Sequence, residues 1–177
     1  MKFSLFSAVA LPGALAVPFS MLAHRPSSDV VRRADGDADC VLPRDYRVQE
    51  FAARTNDTGT TLSSLHFTFA DTATNVTTLC QYNSSSTSTT PPGLTPRYSC
   101  ENRDVKFIWE DEDSQLWLIE RVCPNPDGTP TYEASGSMLL NLSCSGNGTC
   151  SSNSTSQTAL FTSLQPVRDP TKVRSLE

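Results

Sequence analysis

Val105-Lys106-Phe107-Ile108-Trp109 leads through Glu110-Asp111-Glu112-Asp113-Ser114-Gln115 into Leu116-Trp117-Leu118-Ile119, and this stretch decides the fold. Two period-2 runs around a short polar connector predict an antiparallel hairpin. The second run is apolar on both faces, which places it centrally in a sheet or at a seam. Upstream, Leu65-His66-Phe67-Thr68-Phe69 alternates, with Leu65, Phe67 and Phe69 on one face and His66 and Thr68 on the other. Tyr46, Val48 and Glu50-Phe51 form an imperfect first strand. Val76 to Tyr82, Tyr98-Ser99-Cys100, Met138 to Leu142 and Ala159 to Leu164 complete the set. No segment has a helical period. Many short strands with regular turns predict an all-β chain, a single small antiparallel β-barrel or sandwich stapled by disulfides.

The residues outside these strands place the chain. Met1-Lys2, an apolar run from Phe3 to Val17 broken by Pro12 and Gly13, and the small-x-small site Ala14-Leu15-Ala16 read as a signal peptide, residues 1–16. The run is shorter than the roughly 20 apolar residues of a membrane span. Residues 17–33 have no core pattern and end in Arg32-Arg33 before an acidic linker, which reads as a pro-segment with a dibasic processing site. The domain then covers 34–166, and the charged 167–177 reads as a flexible tail. Asn83 to Arg97, Ser/Thr/Pro-rich around Pro91-Pro92-Gly93, reads as a mobile, O-glycosylated loop.

All six cysteines lie downstream of the leader, alongside Asn-x-Ser/Thr sequons at Asn56, Asn75, Asn83, Asn141, Asn147 and Asn153. Both features belong to a secreted glycoprotein. Asn141 lies in an apolar run and is expected to escape modification. After Arg33 the chain carries 10 Lys and Arg against 18 Asp and Glu, a net charge of −8. Nucleic acid and anionic membrane are therefore poor partners, since both recruit clustered cations.

Six cysteines allow fifteen pairings, and spacing does not choose among them. Cys80 and Cys100 flank the 83–97 loop. Cys144 and Cys150 enclose Ser-Gly-Asn-Gly-Thr, a turn flexible enough to let them meet. Cys40 and Cys123 remain.

The order of these elements resembles the fungal secreted β-barrel family founded on the major allergen of the mould Alternaria. The resemblance runs from Cys40 and Asp45-Tyr46-Arg47-Val48-Gln49-Glu50-Phe51 through Leu65 to Phe69, Cys80 and Arg97-Tyr98-Ser99-Cys100. It continues through the Val105 to Trp109 strand, Leu116-Trp117-Leu118, Cys144 with Cys150, and Ala159-Leu160-Phe161-Thr162. It implies bridges Cys80–Cys100 and Cys144–Cys150, and a protein of allergen and effector type. In the founding member the N-terminal cysteine links two chains, and Cys40 stands at the matching position. Here Cys123 has no partner in that pattern. An even count in an oxidising compartment favours Cys40–Cys123 within one chain and a monomer, against a dimer linked through Cys40.

Chemistry-bearing residues are sparse. His66 is the single histidine after Arg33 and reads as a solvent-facing strand residue; nothing nearby suggests a triad. The cysteines are too widely spaced for a metal site in this compartment, so no metal and no cofactor is expected. Glu110-Asp111-Glu112-Asp113 lacks the glycine of a calcium loop and reads as a solvated hairpin tip that protects a sheet edge. Trp109 and Trp117 flank that tip. Facing outward together with the four acids they would form a docking patch, although tryptophans so placed more often belong to the core.

The expected function is non-enzymatic binding outside the cell to an extracellular protein or glycan, of a host or of a cell wall. The first alternative is a carrier enclosing a small apolar or aromatic molecule, which the bulky Phe67, Phe69, Phe107 and Trp109 argue against. The second is a glycoside hydrolase using Glu110 and Glu112.

Overall fold

The computed structural model describes residues 40–56 and 61–167. The leader 1–16, the pro-segment 17–33 with Arg32-Arg33, and the tail from 168 onward lie outside the described residues. Eleven strands form two antiparallel sheets, and the described residues contain no helix.

The deciding stretch is a hairpin of β5 (Val105–Glu110) and β6 (Gln115–Pro124), with Ile108 opposite Trp117 and Trp109 opposite Leu116. In β6, Leu116 and Leu118 point inward and are fully buried, while Trp117 and Ile119 occupy the other face. A strand apolar on both sides belongs inside a sheet, and β6 is the centre of the second one. That sheet also contains β4 (Tyr98–Ser99), β7 (Pro130–Leu139) and β11 (Ser163–Pro166), in the order β11-β7-β6-β5-β4.

The first sheet runs β3-β2-β1-β9-β8, from β3 (Val76–Tyr82), β2 (Leu62–Asp71), β1 (Asp45–Thr55), β9 (Thr149–Ser152) and β8 (Leu142–Cys144). A further strand, β10 (Ser156–Leu160), shares the edge of β1 with β9: β10 pairs Asp45–Gln49, and β9 pairs Ala52–Arg54. The imperfection of β1 has a cause. At Glu50 the backbone turns to a φ of 55°, the register against β2 slips by one, and the Glu50 N–H donates to Thr155 O at 2.9 Å. One extra residue reverses the alternation, so Tyr46 and Val48 before it and Phe51 and Ala53 after it all reach the core.

The two inner faces close on Tyr46, Phe51, Phe67, Phe69, Phe107, Leu116 and Leu118. Phe67 meets Phe107 edge-on across the seam at 5.3 Å between ring centroids. Each buried phenylalanine contributes about 1.5–3 kcal/mol of transfer free energy. The space a carrier would need is occupied by these rings.

Three disulfides join Cys40 to Cys123, Cys80 to Cys100 and Cys144 to Cys150. The first ties the segment ahead of β1 to the end of β6, beside a small cluster of Val122, Ala134 and Leu164.

Four expectations need correction. The strand expected from Met138 to Leu142 begins at Pro130 and ends at Leu139. Ahead of Met138 it places Glu133, Ser135 and Ser137 outward and small Ala134 and Gly136 inward, so the apolar alternation is too faint to see. The strand expected from Ala159 to Leu164 is two strands on different sheets, because the chain crosses over at Phe161-Thr162. Asn141 lies between β7 and β8 and is exposed. The 83–97 loop, read as too polar to order itself, is cross-braced by its own hydroxyls: Thr90 Oγ1 donates to Thr95 O at 2.9 Å, and the Arg97 N–H donates to Ser88 Oγ at 3.3 Å.

The crossover explains one glycine. A Cβ on Gly136 would sit 2.2 Å from Leu160 O and 3.0 Å from Tyr46 Cε1, because β10 ends against the inner side of β7. Gly136→Ala is expected to cost at least about 2 kcal/mol, since the obstacle is backbone with no rotamer to yield. Thermal unfolding of the secreted variant checks this; an unchanged midpoint would mean that the corner adjusts freely.

Candidate functional site

The residues singled out at the hairpin tip do not form one patch. Trp109 faces inward, 5.6 Å from Phe51 between ring centroids, and its indole N–H donates to Asp111 Oδ1 at 2.8 Å. The same oxygen accepts the Leu62 N–H at 2.8 Å. Asp111 therefore clamps the tip of β5–β6 to the start of β2. Glu110, Glu112 and Asp113 stay exposed. Trp117 is on the opposite face of the sheet, as the pairing of Ile108 with Trp117 requires. His66 is exposed on the outer side of the first sheet.

What the outer face of the second sheet holds instead is a groove. Its floor is Ile108, Trp117 and Ile119, and its rim is Lys106, Arg121 and Glu133, with Arg97 entering from the end of the 83–97 loop. Thr89, Thr90 and Thr95 of that loop form one wall, and Gln165 of β11 the other. Two cavities of about 530 Å³ and about 200 Å³ share Arg97, Ile108, Glu133 and Gln165, so the groove is continuous.

Its electrostatics are uneven. Glu133 Oε2 accepts from Arg97 Nη1 at 3.3 Å, and Oε1 from Arg121 Nε at 3.0 Å. Burial and then the Arg121 guanidinium hold the Lys106 amine below the usual lysine range; Glu133 opposes this, and Arg97 adds to it. The Trp117 indole N–H is buried and has no partner. The sequence signal was present but faint: Lys106, Ile108, Trp117, Ile119 and Arg121 are the outward positions of β5 and β6.

All six sequon asparagines are exposed, and none falls within β4–β7 or β11. Asn56, Asn75 and Asn83 follow or join strands of the first sheet; Asn141, Asn147 and Asn153 border β8 and β9. None of the six asparagines lines the groove, although Asn83 opens the loop that forms one of its walls.

A second polar site lies between the sheets. Asp71 Oδ1 accepts the Ala73 N–H at 2.7 Å, and Glu120 Oε1 accepts the Thr74 hydroxyl at 2.7 Å. Asp71 Oδ2 and Glu120 Oε2 are buried without partners. Burial foremost, opposed by the Thr74 hydrogen bond and aided by the Asp71 charge, pushes Glu120 up to about 8. Glu120 also lines a cavity of about 280 Å³ with Val41, Thr74 and Val122. Among the described residues no group of three His, Cys, Asp or Glu is placed to hold a metal ion, and no helix is long and apolar enough to cross a membrane.

No family model matches the chain, and no curated protein does. The chain is similar to two crystal structures of the Alternaria alternata allergen Alt a 1, each at 20% identity over 71% of this chain. They are covered over 91% and 95% of their lengths, with TM-scores of 0.47 and 0.46. This is the allergen whose family the ordered residues resemble.

Proposed function

We propose that this chain is a secreted, non-enzymatic protein of allergen and effector type. It acts by binding an extracellular component of a host or a cell wall, and the groove on the second sheet is where it binds. One observation carries the reading: the concave apolar and cationic surface lies on the face where no sequon falls. Pockets that combine an apolar floor with a few converging polar groups are the usual form of a binding site. The filled interior favours recognition on the surface over enclosure of a ligand. Glu110 and Glu112 are exposed at the tip of the β5–β6 hairpin, away from the groove lining.

Retention of the secreted protein on isolated cell-wall fractions and on immobilised extracellular proteins tests the reading. Ile108→Glu, which puts an acid on the groove floor, is expected to abolish retention. His66→Ala, on the other sheet, is expected to leave it unchanged. Equal retention of wild type and both variants would remove the groove from the function.

A further inference from the structure

The groove concentrates positive charge in an acidic chain. Lys106, Arg97 and Arg121 converge there; Glu133 is divided between the two guanidiniums, and Asp104 also faces Lys106. The described residues offer Lys106 no ion pair, although the residue is half buried. The chain as a whole carries −5. Three cations against two carboxylates leave a local positive excess that an anionic ligand would neutralise in a partly desolvated place, where charge-assisted hydrogen bonds are strong.

The other surfaces narrow the class. A purely apolar acid would match the Ile108-Trp117-Ile119 floor but leave the polar walls unmatched: the Thr89 and Thr90 hydroxyls already donate to Arg97 O and Thr95 O, and the Gln165 amide to Ser163 Oγ, but their oxygens remain as acceptors. A sugar ring uses both: its C–H face lies on apolar and aromatic side chains, and its hydroxyls exchange hydrogen bonds with short polar ones. The continuity of the two cavities favours a chain of rings over one ring. The cations are close together, since Arg97 and Arg121 grip the same carboxylate. Close spacing matches a polymer with a carboxylate on every ring better than one in which charged and neutral rings alternate.

We propose that the groove binds an acidic polysaccharide of the polygalacturonate type. Pyranose rings lie along Ile108, Trp117 and Ile119, and the carboxylates sit against Lys106, Arg97 and Arg121. This rests on the reading of the groove as the binding surface and names its ligand.

Trigalacturonate and its methyl ester share rings and hydroxyls and differ at the carboxyl groups, charged in the acid and capped by a methyl in the ester, and titration calorimetry with both is the test. The acid is expected to bind saturably, and the ester at least about tenfold more weakly, a difference of about 1.4 kcal/mol. Lys106→Gln should weaken the acid by a similar factor and leave the ester unaltered. Added salt should weaken the acid form alone. Equal affinity for acid and ester overturns the proposal, as does an unaffected Lys106→Gln protein. Binding of a hyaluronate tetrasaccharide as tight as that of trigalacturonate overturns the requirement for a carboxylate on every ring. Binding of 2-naphthoate without trigalacturonate assigns the groove to small aromatic acids instead. If trigalacturonate fails while retention on wall fractions stays sensitive to Ile108→Glu, the ligand is wrong and the groove stands.

Discussion

Replacing Cys40 and Cys123 together by serine is expected to lower stability by about 4–5 kcal/mol in the chain-entropy account of disulfides. The bridge spans a sequence separation of 83, so its loss frees most of the domain's chain in the unfolded state. It also releases the segment ahead of β1 from the Val122, Ala134 and Leu164 cluster. The Cys144–Cys150 bridge spans only 6 and closes the β8–β9 hairpin; its removal by paired serines should cost about 2 kcal/mol in the same account. Urea unfolding of the two double variants gives the ratio. Equal losses would show that native contacts, not loop length, set the contribution of each bridge. Cys123→Ser alone should behave differently, because it leaves Cys40 free near the start of the domain. In an oxidising medium this variant is expected to yield a covalent dimer on a non-reducing gel, whereas the wild-type chain closes the bridge on itself.

Glu120→Gln is expected to raise stability at pH 8 by on the order of 4 kcal/mol, at about 1.4 kcal/mol per pH unit of displaced titration. In the unfolded chain Glu120 loses its proton near 4.5; between the sheets it keeps it up to about 8. Across that window the folded protein holds a proton that the unfolded chain has released. Stability therefore falls as pH rises through the window, and levels off on either side. The groups facing Glu120 are Asp71 and Thr74 from the end of β2 and its turn, and Asp104 from the loop before β5. Both acids disfavour a second charge. A glutamine keeps the Thr74 hydrogen bond and brings an amide N–H to the unpartnered Asp71 Oδ2. Unfolding free energies at pH 5 and pH 8.5 check the prediction: the wild-type slope should disappear in the variant. Parallel slopes would place the titrating group elsewhere.

The polarity of these side chains explains why the groove and the acid pair were hard to see beforehand. Alternation puts Glu120 on the inward face with Leu116 and Leu118, but nothing local says that a second carboxylate lies there. Its partner Asp71 is 49 positions away and ends a strand whose other inward residues are phenylalanine and leucine. In the groove, Arg97, Lys106, Arg121 and Glu133 come from four separate segments. Each alone is an ordinary solvated charge; only the register of β5, β6 and β7 sets them side by side. The tryptophans failed as a pair for the same reason. An odd offset between paired strands decides which face each ring takes, and the connector alone does not reveal it.

Alternation was enough wherever one face is apolar and the other polar. The β2 strand, the β5–β6 hairpin and the central place of β6 were legible in residue order, and Phe67, Phe107 and Leu118 are fully buried as that order implies. The six cysteines and six sequons likewise speak for the compartment without any coordinates. Tertiary structure alone decided the bulge at Glu50, the crossover at Phe161, the turning of Trp117 outward and Trp109 inward, and the meeting of Glu120 with Asp71. These depend on which strands are neighbours. Neighbour choice is set by the summed packing of two sheets and by three covalent staples, a property of the whole chain that no short window contains.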